Sequence, residues 1–171
     1  MSADGTDDNP YRSPQGAVEE TAAATAALAP AGKGRRFCNW LVDELVLVGA
    51  IGLATLAAYT IGDEAVAAWL DTTTWWQDQV IGYGFTLVYY TAMEAAFGVT
   101  VGKLLTGTRV VDESGRAPTF RQALLRSLCR LVPFEAFSVL LSEEEDPRGW
   151  HDRWPRTRVV LRRPPPIAAA A

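Results

Sequence analysis

Arg36 and Asp43 stand seven positions apart, at the edge of an uncharged stretch that runs from Leu45 to Ile61. Seven residues make two turns of an α-helix, so both side chains point the same way, with Asn39 or Trp40 between them and Leu47 beyond. A carboxylate a turn or two inside an apolar helix is expensive unless it faces protein, water or a cation; the cost is roughly 3 kcal/mol at mid-bilayer and less near the surface. Such an acid suits either of two chemistries: it holds a cation or passes a proton, or it pairs with a fixed positive charge. Glu94, inside the second apolar block Val80 to Phe97, is another acid of this kind. The expected arrangement is a polar cluster of Arg36, Asp43, Glu94 and Arg126 or Arg130, with the carboxylates paired rather than left bare. A purely structural alternative puts Asp43 and Glu44 at headgroup depth, favoured by the positive end of the helix dipole.

The two apolar blocks must position these residues. At about 1.5 Å per residue the uncharged part of the first covers roughly 25 Å, and adding Phe37 to Asp43 takes it past the roughly 30 Å of hydrocarbon. The second block is at the lower end of spanning length, roughly 18 residues. The expected fold class is an α-helical membrane protein: two transmembrane helices, about 38–61 and 80–97, form a hairpin, and an amphipathic interfacial helix and a small cytoplasmic β element accompany it. Lys33, Arg35 and Arg36 precede the first span, and Lys103, Arg109, Arg116, Arg121, Arg126 and Arg130 follow the second. Between the spans there are acids and no Lys or Arg. Positive flanks stay inside, so both termini are expected in the cytoplasm. Trp40, Trp69, Trp75 and Trp76 fall at the expected membrane boundaries. Ala50, Ala54 and Ala58 would allow close helix approach. Cys38 and Cys129 have no CxxC partner and read as free thiols on the reducing side.

Outside the spans the 171-residue chain changes character. Residues 1–32 read as a disordered tail and 162–171 as an extended Pro/Ala tail, leaving 33–161 as the membrane domain. Thr108-Arg109-Val110-Val111 recurs as Thr157-Arg158-Val159-Val160, and the two are expected to pair as strands. Thr119 should cap a helix through Phe120 to Val132. Its apolar residues lie opposite Arg126 and Arg130, which would reach for phosphates or carboxylates in the membrane interface; packing against the two spans fits the pattern equally. Pro133 to Leu141 is too short to cross and reads as re-entrant or interfacial. Gly98 to Lys103 lacks the spacing of a phosphate loop and reads as a flexible loop. A single histidine and two scattered cysteines give no metal-ligand set, and His151-Asp152 comes without a nucleophile elbow. No enzyme, cofactor or nucleic-acid partner is expected; the lipid bilayer is the expected partner.

Taken in order, Arg36-Phe37 with Asp43, Tyr89-Tyr90, Glu94 through Phe97-Gly98, Gly102-Lys103, Gly107 to Val111, Arg126 to Phe134 and Trp150-His151-Asp152 resemble the RDD family of bacterial membrane proteins. The resemblance makes Arg36, Asp43 and Asp152 the Arg and two Asp for which that family is named. It implies a small integral domain of the bacterial inner membrane, for which transport of a small solute or cation, including cation/proton antiport, has been suggested. Two spans cannot enclose a polar route, so transport would need a homo-oligomer or a membrane partner. The alternative is a non-enzymatic scaffold that binds anionic lipid or a partner protein through its basic module.

Overall fold

The computed structural model describes residues 28–163, so most of both expected tails lies outside the described residues. The chain is mostly helical: α1 (Lys33–Ile61), α2 (Glu64–Asp71), α3 (Trp75–Phe97), α4 (Val101–Thr106), β1 (Thr108–Asp112), α5 (Phe120–Arg130), α6 (Glu135–Leu140), α7 (Trp150–Arg153) and β2 (Thr157–Leu161). Among the described residues one helix, α1, is long and apolar enough to cross a membrane, and little of its most apolar stretch is buried inside the protein.

Both long helices begin outside the expected spans, at Lys33 and Trp75 rather than near 38 and 80. Local capping explains the second start. The Gln77 side chain accepts hydrogen bonds from the Thr74 backbone N–H (2.8 Å) and hydroxyl (2.7 Å), satisfying donors that a helix start leaves free. At the far end, Gly98 closes α3 with φ +67°, a left-handed conformation that glycine adopts without strain. Its carbonyl then accepts from the Val110 N–H at 2.8 Å, which ties the end of α3 to β1. The stretch Gly98 to Lys103 is therefore an ordered helix junction rather than a flexible loop.

The long helices make few contacts with each other. Instead α1 packs on α4, and α3 packs on α5. Ala50 and Ala54 are exposed and Ala58 is half-buried, so the first two mediate no close helix approach among the described residues. Strands β1 and β2 pair antiparallel, with Thr108 opposite Leu161 and Asp112 opposite Thr157. Residues 29–31, expected in the tail, run along the free edge of β2: Ala31 N–H bonds the Val159 carbonyl at 2.9 Å and Leu161 N–H bonds the Ala29 carbonyl at 3.0 Å. Ala31, Val110 and Val159 make the small apolar core there. That buried alanine and the unpaired strand edge fix a segment that composition alone assigns to disorder.

Across the described residues fourteen polar or charged residues are buried against ten apolar ones. Polar pairing therefore holds this protein together, while its large apolar side chains, such as Leu45, Val48, Leu53 and Val88, are exposed. This distribution fits a chain solvated by lipid along its helices.

Candidate functional site

On α1 the buried residues are Arg36, Asn39, Asp43 and Leu47, the face that helical spacing predicts; Trp40 is on the exposed side. Asp43 is fully buried and its oxygens are filled. Oδ1 accepts from the Tyr89 hydroxyl and the Gly102 backbone N–H, both at 2.8 Å; Oδ2 accepts from the Thr100 hydroxyl at 2.6 Å. An acid from α1 thus caps the first turn of α4, where the dipole and free N–H groups favour negative charge. The Asn39 amide completes this junction, its nitrogen directed to the Thr106 hydroxyl and the Gly102 and Arg35 carbonyls and its oxygen to the Thr108 hydroxyl.

Glu94 is the hub of the site. Its Oε2 takes the Arg126 Nε–H at 2.6 Å, and its Oε1 takes Arg130 Nη2 at 2.9 Å and Lys103 Nζ at 3.1 Å. Lys103 also lies 4.0 Å from Asp43 Oδ2, which links the two acids, and the Arg130 guanidinium stacks 4.2 Å over the Tyr90 ring. Arg126 carries the network onward: its Nη1 bonds the Asp152 carboxylate and, at 3.2 Å, the His151 carbonyl. Arg36 reaches Asp152 from the other side. Its Nη2 also lies 3.1 Å from His151 Nε2, while His151 Nδ1 bonds Glu135. A neutral imidazole with its proton on Nδ1 satisfies both contacts.

Neutralisation within the cluster sets the electrostatics. Arg36, Lys103, Arg126 and Arg130 face Asp43, Glu94, Glu135 and Asp152, so with His151 neutral the network carries no net charge. Burial pushes the Asp152 carboxyl up, but the guanidinium groups of Arg36 and Arg126 outweigh it and hold the group well below the usual carboxylate range. Burial likewise opposes ionisation of Glu135, and its bond to His151 wins. Burial lowers the His151 ring below its usual 6.5, against the pull of Asp152. Lys103 is lowered by burial to about 8 despite Glu94 beside it. Arg126 and Arg130 are raised: Glu94 overcomes the burial that disfavours their charge.

The structure brings Arg36, Asp43, Glu94, Arg126, Arg130 and Asp152 into one connected network. Within it Arg36 bonds Asp152, and Asp43 bonds the start of α4. Of the two settings expected for α5, the structure has packing within the protein rather than reach toward phosphates. Arg126, with Ala123, Ser127 and Cys129, is buried, Arg130 is half-buried against Glu94, and Phe120, Leu125 and Leu128 are exposed, so the arginines reach carboxylates of the same chain. Lys103, Glu135 and His151 join the network without having been singled out for it in the sequence. For His151 the signal was its adjacency to Asp152; for Lys103 and Glu135 it was their position in otherwise apolar surroundings.

The model of the RDD family matches residues 30–155. The chain belongs to the RDD family. It is a membrane protein, and within the matched segment Arg36, Asp43 and Asp152 anchor α1 to α4 and α7. No curated protein and no solved structure matches the chain. Among the described residues no group of His, Cys, Asp or Glu is arranged to hold a metal ion. The network forms a charge-neutral clamp joining the base of α1 to the segments around α4, α5 and α7.

Proposed function

We infer that this RDD protein is a non-enzymatic membrane scaffold, a two-span hairpin of the bacterial inner membrane with both termini in the cytoplasm, whose basic module holds anionic lipid. The observation that carries this reading is the division of charge into two sets. Buried cations are matched by buried acids, whereas Arg109, Arg116, Arg121, Arg153, Arg156 and Arg162 are exposed. Each exposed arginine near an anionic surface gains about 1 kcal/mol, and the gain is screened by salt. The test is the thermal midpoint of the purified protein in nanodiscs of phosphatidylcholine with and without phosphatidylglycerol. Phosphatidylglycerol should raise the midpoint at low salt, and replacing Arg109, Arg121, Arg153 and Arg156 with Gln should abolish the rise. A midpoint indifferent to lipid charge overturns the reading.

A second reading, a subunit for transport of a small solute or cation, is favoured by Lys103. Its ammonium lies between Glu94 and Asp43, and burial lowers its pKa to about 8, which eases release of its proton. Transport would then require a homo-oligomer or a membrane partner. Cation flux into proteoliposomes that disappears in a folded Asp43→Asn variant supports this reading over the scaffold. No flux from a well-folded assembly counts against it.

A further inference from the structure

Helix α6 turns its charged residue inward and its largest apolar ones outward. Glu135 is buried against His151, and the Ser138 hydroxyl accepts from the Trp150 N–H at 3.0 Å. On the opposite side Phe134, Phe137 and Leu141 are 76%, 56% and 87% exposed. Their spacing of three and four residues makes one stripe, and the two phenylalanine rings sit 6.3 Å apart. Phe134 also has φ +68°, a left-handed backbone that a residue with a Cβ adopts only under strain. Strain and exposure fall on the same residue, so neither local geometry nor internal packing accounts for a phenylalanine there.

The stripe's position names its occupant. Lys33 Nζ donates to the Leu140 carbonyl at 3.0 Å and pairs with Glu144 at 3.1 Å, which holds the end of α6 beside the first turn of α1. One turn further on, Phe37, Trp40 and Leu41 begin the exposed apolar flank of the membrane helix. Exposed Glu143, Glu144 and Glu145 follow the stripe at once and require water. The apolar surface is thus continuous with the lipid-facing side of α1 and bounded by acids. A six-residue helix is about 9 Å long, too short to cross, and suits the boundary between headgroups and acyl chains.

We propose that residues 132–141 form a wedge in the leaflet at which α1 begins, with Phe134, Phe137 and Leu141 seated in lipid. The proposal rests on α1 being a membrane helix and is independent of how many spans the chain has. The test places single nitroxide labels in the full chain, after Cys38→Ser and Cys129→Ala, through Phe134→Cys, Phe137→Cys, Leu141→Cys, Val48→Cys and Glu144→Cys. Collision rates with oxygen and with a water-soluble nickel chelate are read in phosphatidylcholine/phosphatidylglycerol vesicles. The three wedge positions should favour oxygen several-fold over Glu144→Cys. Nickel reaching them as readily as it reaches Glu144→Cys overturns the wedge, and so does exclusion of both colliders, which would mean a protein cover such as a second copy. Nickel access at Val48→Cys would instead mark failure of the membrane reading itself. Phe134→Gly gives a second measurement that relieves the strained backbone. Its thermal midpoint in detergent should hold or rise while the extra stability gained on transfer to nanodiscs shrinks; an undiminished gain overturns the proposal.

Discussion

The Asp43 carboxylate accepts the Gly102 backbone N–H at 2.8 Å, so a side chain of the long helix α1 closes the first turn of a separate short helix. The approach is tight enough that a methyl group at position 102 would overlap the Asn39 carbonyl and touch the Asp43 carboxyl carbon. Gly102→Ala should therefore push α1 and α4 apart and cost about 1–3 kcal/mol. The thermal midpoint in detergent is the readout, and a midpoint equal to that of the parent protein would show that the junction is slack.

Removing the hub acid should be more damaging than removing any one of its partners. Glu94→Gln leaves Lys103, Arg126 and Arg130 buried with one fewer negative charge, and breaking a buried pair costs about 3–5 kcal/mol. Adding Lys103→Met to that variant should recover part of the loss, since it removes a stranded cation and substitutes an apolar chain of similar length. Denaturation of both variants measures the difference. A double variant no more stable than Glu94→Gln would contradict the charge balance.

Arg126→Lys tests the fork. The guanidinium reaches Glu94 through Nε and Asp152 through Nη1, on opposite sides of a planar group that an ammonium cannot reproduce. This nominally conservative change should lower stability nearly as much as Arg126→Met. If lysine restores the parent midpoint, the two-sided contact is not what position 126 supplies.

Acidification should weaken the fold in stages. The His151 pKa is depressed, so the unfolded chain binds more protons below its usual 6.5 and stability falls as pH drops through that window. Glu135 and Asp152 are also depressed, so their contributions are present above 4.5 and 3.8 and are lost below them. Lys103 has the same sign on the alkaline side: with a folded value of about 8 against 10.5 it adds stability as pH rises between the two. Midpoints recorded from neutral to mildly acidic pH should fall for the parent protein and flatten for His151→Gln. An equal slope in both would remove His151 from this account.

Helical period made the face Arg36, Asn39, Asp43 and Leu47 legible, and Thr119 marked the start of α5, where its hydroxyl accepts the Gln122 N–H at 3.3 Å. The repeated Thr-Arg-Val-Val strings are neighbours in the β ribbon. The direction in which a face points was not legible. In water an apolar stripe seeks the core, but a helix wetted by lipid turns the same stripe outward, and period carries no sign. That is why α5 reads equally as an interfacial helix with its arginines on lipid phosphates and as one packed on the spans with its arginines on carboxylates, and the contacts with Glu94 are those of the second. The partners of Lys103, Glu135 and His151 were hidden for another reason: each contact crosses from one element to another, as Lys103 does to Glu94 around the Gly98 turn, and spacing along one helix says nothing about them.

The claim that the acids and cations of this module neutralise one another inside the protein is tested most directly by carboxyl footprinting of the full chain in nanodiscs with a carbodiimide and an amine. Exposed Glu113, Glu143, Glu144 and Glu145 serve as internal standards. The buried network predicts that Asp43, Glu94 and Asp152 stay unmodified when those four are fully labelled. Labelling of Asp43 or Glu94 at the rate of Glu144 would mean that water reaches the acids, and would contradict the clamp.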